Sequence, residues 1–115
     1  MPAYVIAHLQ ESAPHPEIAE YIERITDTFE PYGGRFLVHA AQHEVKEGAW
    51  PGHVVVISFP SMDAARTWWD SPAYQELAPL RSRHIEGDII LVPGVPEDYD
   101  AADTGRAMRE SLPAG

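Results

Sequence analysis

The stretch His53-Val54-Val55-Val56-Ile57-Ser58-Phe59-Pro60-Ser61-Met62-Asp63-Ala64-Ala65-Arg66-Thr67-Trp68-Trp69 changes character at Pro60. Its first half is β-branched and apolar at consecutive positions, the pattern of a strand buried on both faces. In its second half Ser61 is a good helix N-cap, and Asp63 suits the positive first turn that follows. Trp68 and Trp69 are neighbours on that helix, so their side chains point about 100° apart and cannot share one core direction. One of them is expected to face a pocket or a partner. The Asp70-Ser71-Pro72 break ends the helix, and a further helical segment carries Tyr74, Leu77 and Leu80 on one stripe, with a kink expected at Pro79.

Upstream, Tyr4 to Leu9 reads as a first strand, and Pro14-His15-Pro16 interrupts the backbone. Ile18, Tyr21, Ile22, Ile25 and Phe29 recur mostly at spacings of three and four, which predicts an amphipathic helix from Glu17. Pro31 and Gly33-Gly34 stop it. Arg35 to Glu47 is expected as a long second strand, followed by the turn Gly48 to Gly52. Downstream, Asp88 to Pro93 is the last strand. The order β-α-β-β-α-β is that of an α+β, ferredoxin-like domain: a four-stranded antiparallel sheet with helices on one face.

Ile89-Ile90-Leu91-Val92 repeats the two-sided apolar pattern of Val54 to Ile57. Two helices cover only one face of such a sheet. Burial of an Ile or Leu side chain contributes roughly 1.5–3 kcal/mol, so the other face calls for cover, and a second copy of the chain is the simplest. A homodimer is therefore expected.

The chain has 115 residues, enough for one compact domain, placed at residues 1–95, and a short tail. Residues 96–115 form an acidic C-terminal tail in which Asp103 to Leu112 is expected as a short docked helix. A formal charge of −10 argues against nucleic acid and against an anionic membrane as partners. The absence of cysteine excludes disulfides, thiolate metal sites and a cysteine nucleophile. Neither a signal peptide nor an apolar run of membrane-spanning length is legible, and a cytoplasmic location is the expectation.

Several blocks occur in order: Tyr32-Gly33-Gly34-Arg35-Phe36-Leu37-Val38, Glu47-Gly48-Ala49-Trp50-Pro51, Phe59-Pro60-Ser61-Met62-Asp63-Ala64-Ala65, Asp70-Ser71-Pro72-Ala73-Tyr74 and Leu80-Arg81. Together they resemble the domain-of-unknown-function family DUF thirteen-thirty, of the dimeric α/β-barrel superfamily, over roughly residues 2 to 95. The resemblance implies a ferredoxin-like fold whose sheets pair face to face in a dimer. Its superfamily includes cofactor-free monooxygenases, muconolactone-type isomerases, haem-degrading enzymes and small-molecule stress proteins, and fold alone does not choose among them.

Candidate chemistry rests on few residues. His8 and His39 lie in expected strands, where an imidazole is either hydrogen-bonded structurally, placed at a dimer seam, or catalytic. Strand alternation groups Tyr4, Ile6 and His8 on one face, and Leu37, His39 and Ala41 on one face. Arg35 and Arg81 are candidate clamps for an anionic substrate, or surface partners of nearby acids. Trp68, Trp69 and Tyr74 are candidate pocket walls. No cofactor and no metal are expected: His39 and His43 share a strand face but would lie about 13 Å apart, and His53 with Glu44 adds no ligand spacing. Two functions remain open, a cofactor-independent enzyme using histidine acid–base chemistry on an aromatic or polyketide-like small molecule, and a non-catalytic dimeric binding or stress module.

Overall fold

A computed structural model describes residues 1–114. Four strands, β1 (Ala3–Gln10), β2 (Arg35–Val38), β3 (Gly52–Phe59) and β4 (Gly87–Pro93), form one sheet in the order β2-β3-β1-β4. All three pairings are antiparallel. The helices α1 (Pro16–Phe29), α2 (Met62–Asp70), α3 (Pro72–Leu77) and α4 (Pro79–Ser82) precede β4, and α5 (Ala101–Ser111) follows it. This is the expected ferredoxin-like arrangement.

Local chemistry sets the boundaries. Ser61 Oγ accepts from the Ala64 amide at 3.1 Å and caps α2. Ser71 does two jobs, donating to the Trp68 carbonyl at 2.6 Å and capping α3 through the Tyr74 amide at 3.3 Å. At Pro79, which has no N–H to continue the ladder, the expected interruption falls between α3 and α4, confined to Ala78, whose backbone stays helical (φ −52°, ψ −39°). Gly33 ends the turn after α1 with φ +77°, and a Cβ on Gly34 would come within 2.9 Å of Phe29 and Phe59.

The core lies between the sheet and α1 to α3. Val5, Tyr21, Ile25, Phe29, Ile57, Phe59, Ala65, Trp68, Tyr74 and Leu77 are buried together. Strand register assigns the faces. Val5 opposes Ile57 and Leu91, towards the helices, whereas Ile6 opposes Val56 and Ile90 on the other side. That second face carries cross-strand rows: Arg35, Ser58, Tyr4 and Val92; then Val38, Val56, Ile6 and Ile90; then Val54, His8 and Asp88. Among the described residues no helix covers it, and Ile90 is 55% exposed.

Two expectations are corrected. The second strand stops at Val38, because Ala40 adopts the left-handed conformation (φ 55°), and residues 39–51 run as an exposed loop. The tail helix forms, capped by Asp100 on the Ala102 amide at 3.0 Å, but it does not dock on its own domain: every residue of α5 is exposed. Among the described residues, no helix is long and apolar enough to cross a membrane.

Candidate functional site

A cavity of about 90 Å³ lies between the helix-facing side of the sheet and the helices. Val5, Ala7, Val55, Ile57 and Ile89 form its floor; Ile18, Tyr21, Ile22 and Ile25 of α1 form one wall. Trp68, Trp69 and Tyr74 form the opposite wall, and Phe36, His39, Arg81 and Ile85 complete it. Trp69, Arg81, Ile85 and Ile89 also line a shallower depression of about 460 Å³ next to it, which serves as the mouth.

Both tryptophans touch this space, in different ways. Trp68 is 1% exposed, and its indole Nε1 donates to Thr28 Oγ1 at 3.0 Å. Thr28 in turn donates to the Ile25 carbonyl at 2.6 Å. Trp69 is only partly buried, and its ring lies 5.1 Å from Tyr74. The indole that packs as core and the indole that faces the mouth are thus separate residues, as neighbours on a helix require.

The polar groups are few and sit together. The Tyr21 and Tyr74 hydroxyls lie 3.0 Å apart. Burial pushes the Tyr21 phenol far above its ordinary pKa, so it stays a neutral donor. Arg81 is 7% exposed, with its guanidinium carbon 5.6 Å above the Tyr21 ring. Burial opposes its charge, but the neighbouring Tyr21 and Tyr74 outweigh that and its pKa is raised. Among the described residues no carboxylate pairs with Arg81. Its Nε is buried without a hydrogen-bond partner. A buried charge with no counter-charge is costly, which makes this the most polar demand in an otherwise apolar space.

His39 reaches the cavity through a β-bulge. Phe36 opposes Ile57, but Val38 opposes Val56, so the register slips by one residue between them. The slip takes His39 off the face that simple alternation assigns to it and onto the helix side, a common use of bulges. Its ring stacks on Phe36 at 4.3 Å. The residue as a whole is exposed, yet the covered ring is desolvated enough to lower its pKa from the ordinary 6.5. That desolvation favours the neutral imidazole.

The remaining candidates lie elsewhere. His8 does not line the cavity: it belongs to the uncovered sheet face, under Trp50 at 4.4 Å, with Nε2 buried and unpartnered. Arg35 is exposed on that same face, opposite Ser58. Tyr4, His8 and His39 consequently do not converge. His53 pairs with Glu11 at 2.7 Å, away from His39. Sequence reasoning missed Tyr21 as a site residue, although a hydroxyl inside the apolar stripe of α1 was the available signal. It also missed a cluster of His15, Glu17 and His84, whose members come from distant segments.

A four-stranded antiparallel sheet with helices packed on one face is the fold this chain shares with its structural neighbours. The chain itself is a member of the family described as Domain of unknown function (DUF1330), whose model matches residues 2–95. No protein of curated function matches the sequence. A crystal structure of a protein of unknown function from Rhodopseudomonas palustris is 21% identical, with 83% of this chain and 84% of that one covered and a TM-score of 0.62. SnoaB, a cofactor-independent oxygenase from Streptomyces nogalater, is 17% identical over 86% of this chain and 98% of that one, with a TM-score of 0.57. A hypothetical protein from Arabidopsis thaliana is 16% identical over 84% and 90%, with a TM-score of 0.55. These likenesses show the fold.

Proposed function

We propose that the protein is a homodimeric, cofactor-independent enzyme that binds a small anionic or enolisable aromatic molecule and moves a proton on it. The observation that carries this reading is the buried Arg81, which faces an aromatic cavity with its Nε unpartnered and, among the described residues, with no carboxylate paired to it. An anion supplied by the ligand would complete that charge, and the fork of Arg suits a carboxylate or enolate. Neutral His39 serves as general base: it takes the acidic proton, the ligand keeps the electron pair, and Arg81 with the two phenols holds the resulting anion. The likeness to a cofactor-independent oxygenase supports chemistry of this class by analogy of fold.

Size restricts the ligand. An apolar cavity of about 150 Å³ accommodates benzene, so about 90 Å³ encloses less than one full ring. A fused polyketide skeleton would enter only by one end, with the remainder against Trp69 in the mouth. One ring with a short acidic substituent is the better fit. The dimer is supported by the uncovered row Val38, Val56, Ile6 and Ile90, whose burial by a second sheet would satisfy the apolar pattern of both faces.

A panel of single-ring aromatic carboxylates and ketones, followed by thermal shift and by proton exchange into heavy water, tests the proposal. A ligand should raise the melting temperature, and its acidic proton should exchange only with His39 intact. Binding without exchange, unaltered by His39→Asn, would instead support the non-catalytic binding module.

A further inference from the structure

We infer that His15, Glu17 and His84 form a binding site for a divalent transition-metal ion of the zinc type, joining the start of α1 to the α4–β4 loop. One ligand atom from each of the three lies within 4.8 Å of the other two. His84 Nε2 is 2.7 Å from Glu17 Oε1, and the two imidazole rings stack at 3.7 Å with 24° between their planes. Two imidazoles and one carboxylate are the donor set of three-ligand zinc sites, in which metal–ligand bonds of about 2.0–2.2 Å leave one position open to water. His15 is exposed while Glu17 and His84 are partly buried, so an ion has an approach from solvent and a wall behind it. Such an ion would take the place of the proton shared between His84 and Glu17.

The neighbours set its strength and selectivity. Arg83 Nη1 holds Glu17 Oε2 at 2.9 Å, which orients the carboxylate and leaves Oε1 as the donor. The same guanidinium cancels one negative charge, and the positive end of α1 lies close by. Hard cations such as calcium and magnesium, which need several oxygen ligands, are disfavoured by a set with one carboxylate and two imidazoles. A borderline ion bound through nitrogen is favoured, in the order copper over nickel, with zinc below copper. His15 Nδ1 accepts from the Glu17 amide at 3.0 Å as the helix cap. Ligation through Nδ1 would surrender that bond, so the Glu17 amide reports directly on occupancy.

Position gives the site a consequence. Ile18 and Ile22 on α1 and Ile85 on the α4–β4 loop all line the cavity, so an ion at His15 and His84 ties together two of its sides. Nothing in this inference depends on the enzymatic reading.

The test uses the full chain, stripped of metal and titrated with zinc chloride by calorimetry. One ion per chain is expected, with His84→Asn and His15→Gln each weakening binding by about tenfold or more. His53→Asn, which removes a histidine outside the cluster, should bind as the parent does. Binding should also shift the Glu17 amide resonance, and the copper-loaded protein should show two nitrogen ligands by electron paramagnetic resonance. Circular dichroism checks that each variant folds. Saturable uptake absent below millimolar zinc would overturn the site, as would unaltered affinity in folded His84→Asn and His15→Gln.

Discussion

Replacing Arg81 by methionine separates a residue held for the fold from one held for a ligand. The side chain is 7% exposed, and its Nε is buried without a partner. An unsatisfied buried donor costs about 1–3 kcal/mol. The guanidinium over Tyr21 returns about 0.5–2 kcal/mol of cation–π attraction. Methionine fills similar apolar space and removes both contributions, so the variant should fall between about 1 kcal/mol less stable and about 2.5 kcal/mol more stable than the parent. In a domain of this size each kcal/mol moves the melting temperature by roughly 4 °C. Removing one half of a structural ion pair would instead cost about 3–5 kcal/mol. Urea denaturation of the ligand-free protein distinguishes the two, and titration with an aromatic carboxylate completes the measurement. Loss of a charge-assisted hydrogen bond, about 1.5–3 kcal/mol, should weaken that ligand roughly ten- to a hundredfold. A variant destabilised by more than about 2 kcal/mol that still bound the carboxylate normally would refute the assignment of Arg81 to a ligand anion.

Three further outcomes are expected. Because burial disfavours the His39 imidazolium, its contribution to stability is present above the ordinary histidine pKa of 6.5 and is lost as pH falls through its lower folded value; an NMR titration midpoint at or above 6.5 would contradict the desolvated placement. Thr28→Val should destabilise by about 1–3 kcal/mol, since the Trp68 indole then keeps a buried N–H with no acceptor; chemical denaturation with an unchanged m-value is the check. Ile90→Asp should convert a dimer to a monomer by light scattering at micromolar concentration, and a parent protein already monomeric there would end the dimer proposal.

The sequence carried the architecture because its signals were strong and local. Ser61, Pro72, Gly33 and the two-sided apolar strands each act within a few residues, and the sheet order follows from their succession. The candidate site was legible only in part. Trp68, Trp69, Tyr74 and Arg81 were singled out and do share one cavity, since the short helices α2, α3 and α4 that carry them follow one another directly in the chain. Alternation placed His8 correctly with Tyr4 and Ile6 but failed for His39, because a single slip of register defeats the rule and neither the bulge at β2 nor the left-handed Ala40 has a sequence signature. The cluster of His15, Glu17 and His84 was invisible for another reason: its members are brought together across 67 residues of chain by the packing of α4 on α1.

The bulge in β2 has a consequence for how this family can diversify. The imidazole in the cavity is assigned by a count of residues between Phe36 and Val38, so an insertion or deletion of one amino acid can give or remove a proton acceptor while every side chain at the site stays unchanged. Relatives that match at each of these positions but differ by one residue in this short edge strand would then possess the same walls and the same arginine with a different chemical repertoire. Length at β2, more than identity at His39, is the variable along which a binding protein and a catalyst on this scaffold would part.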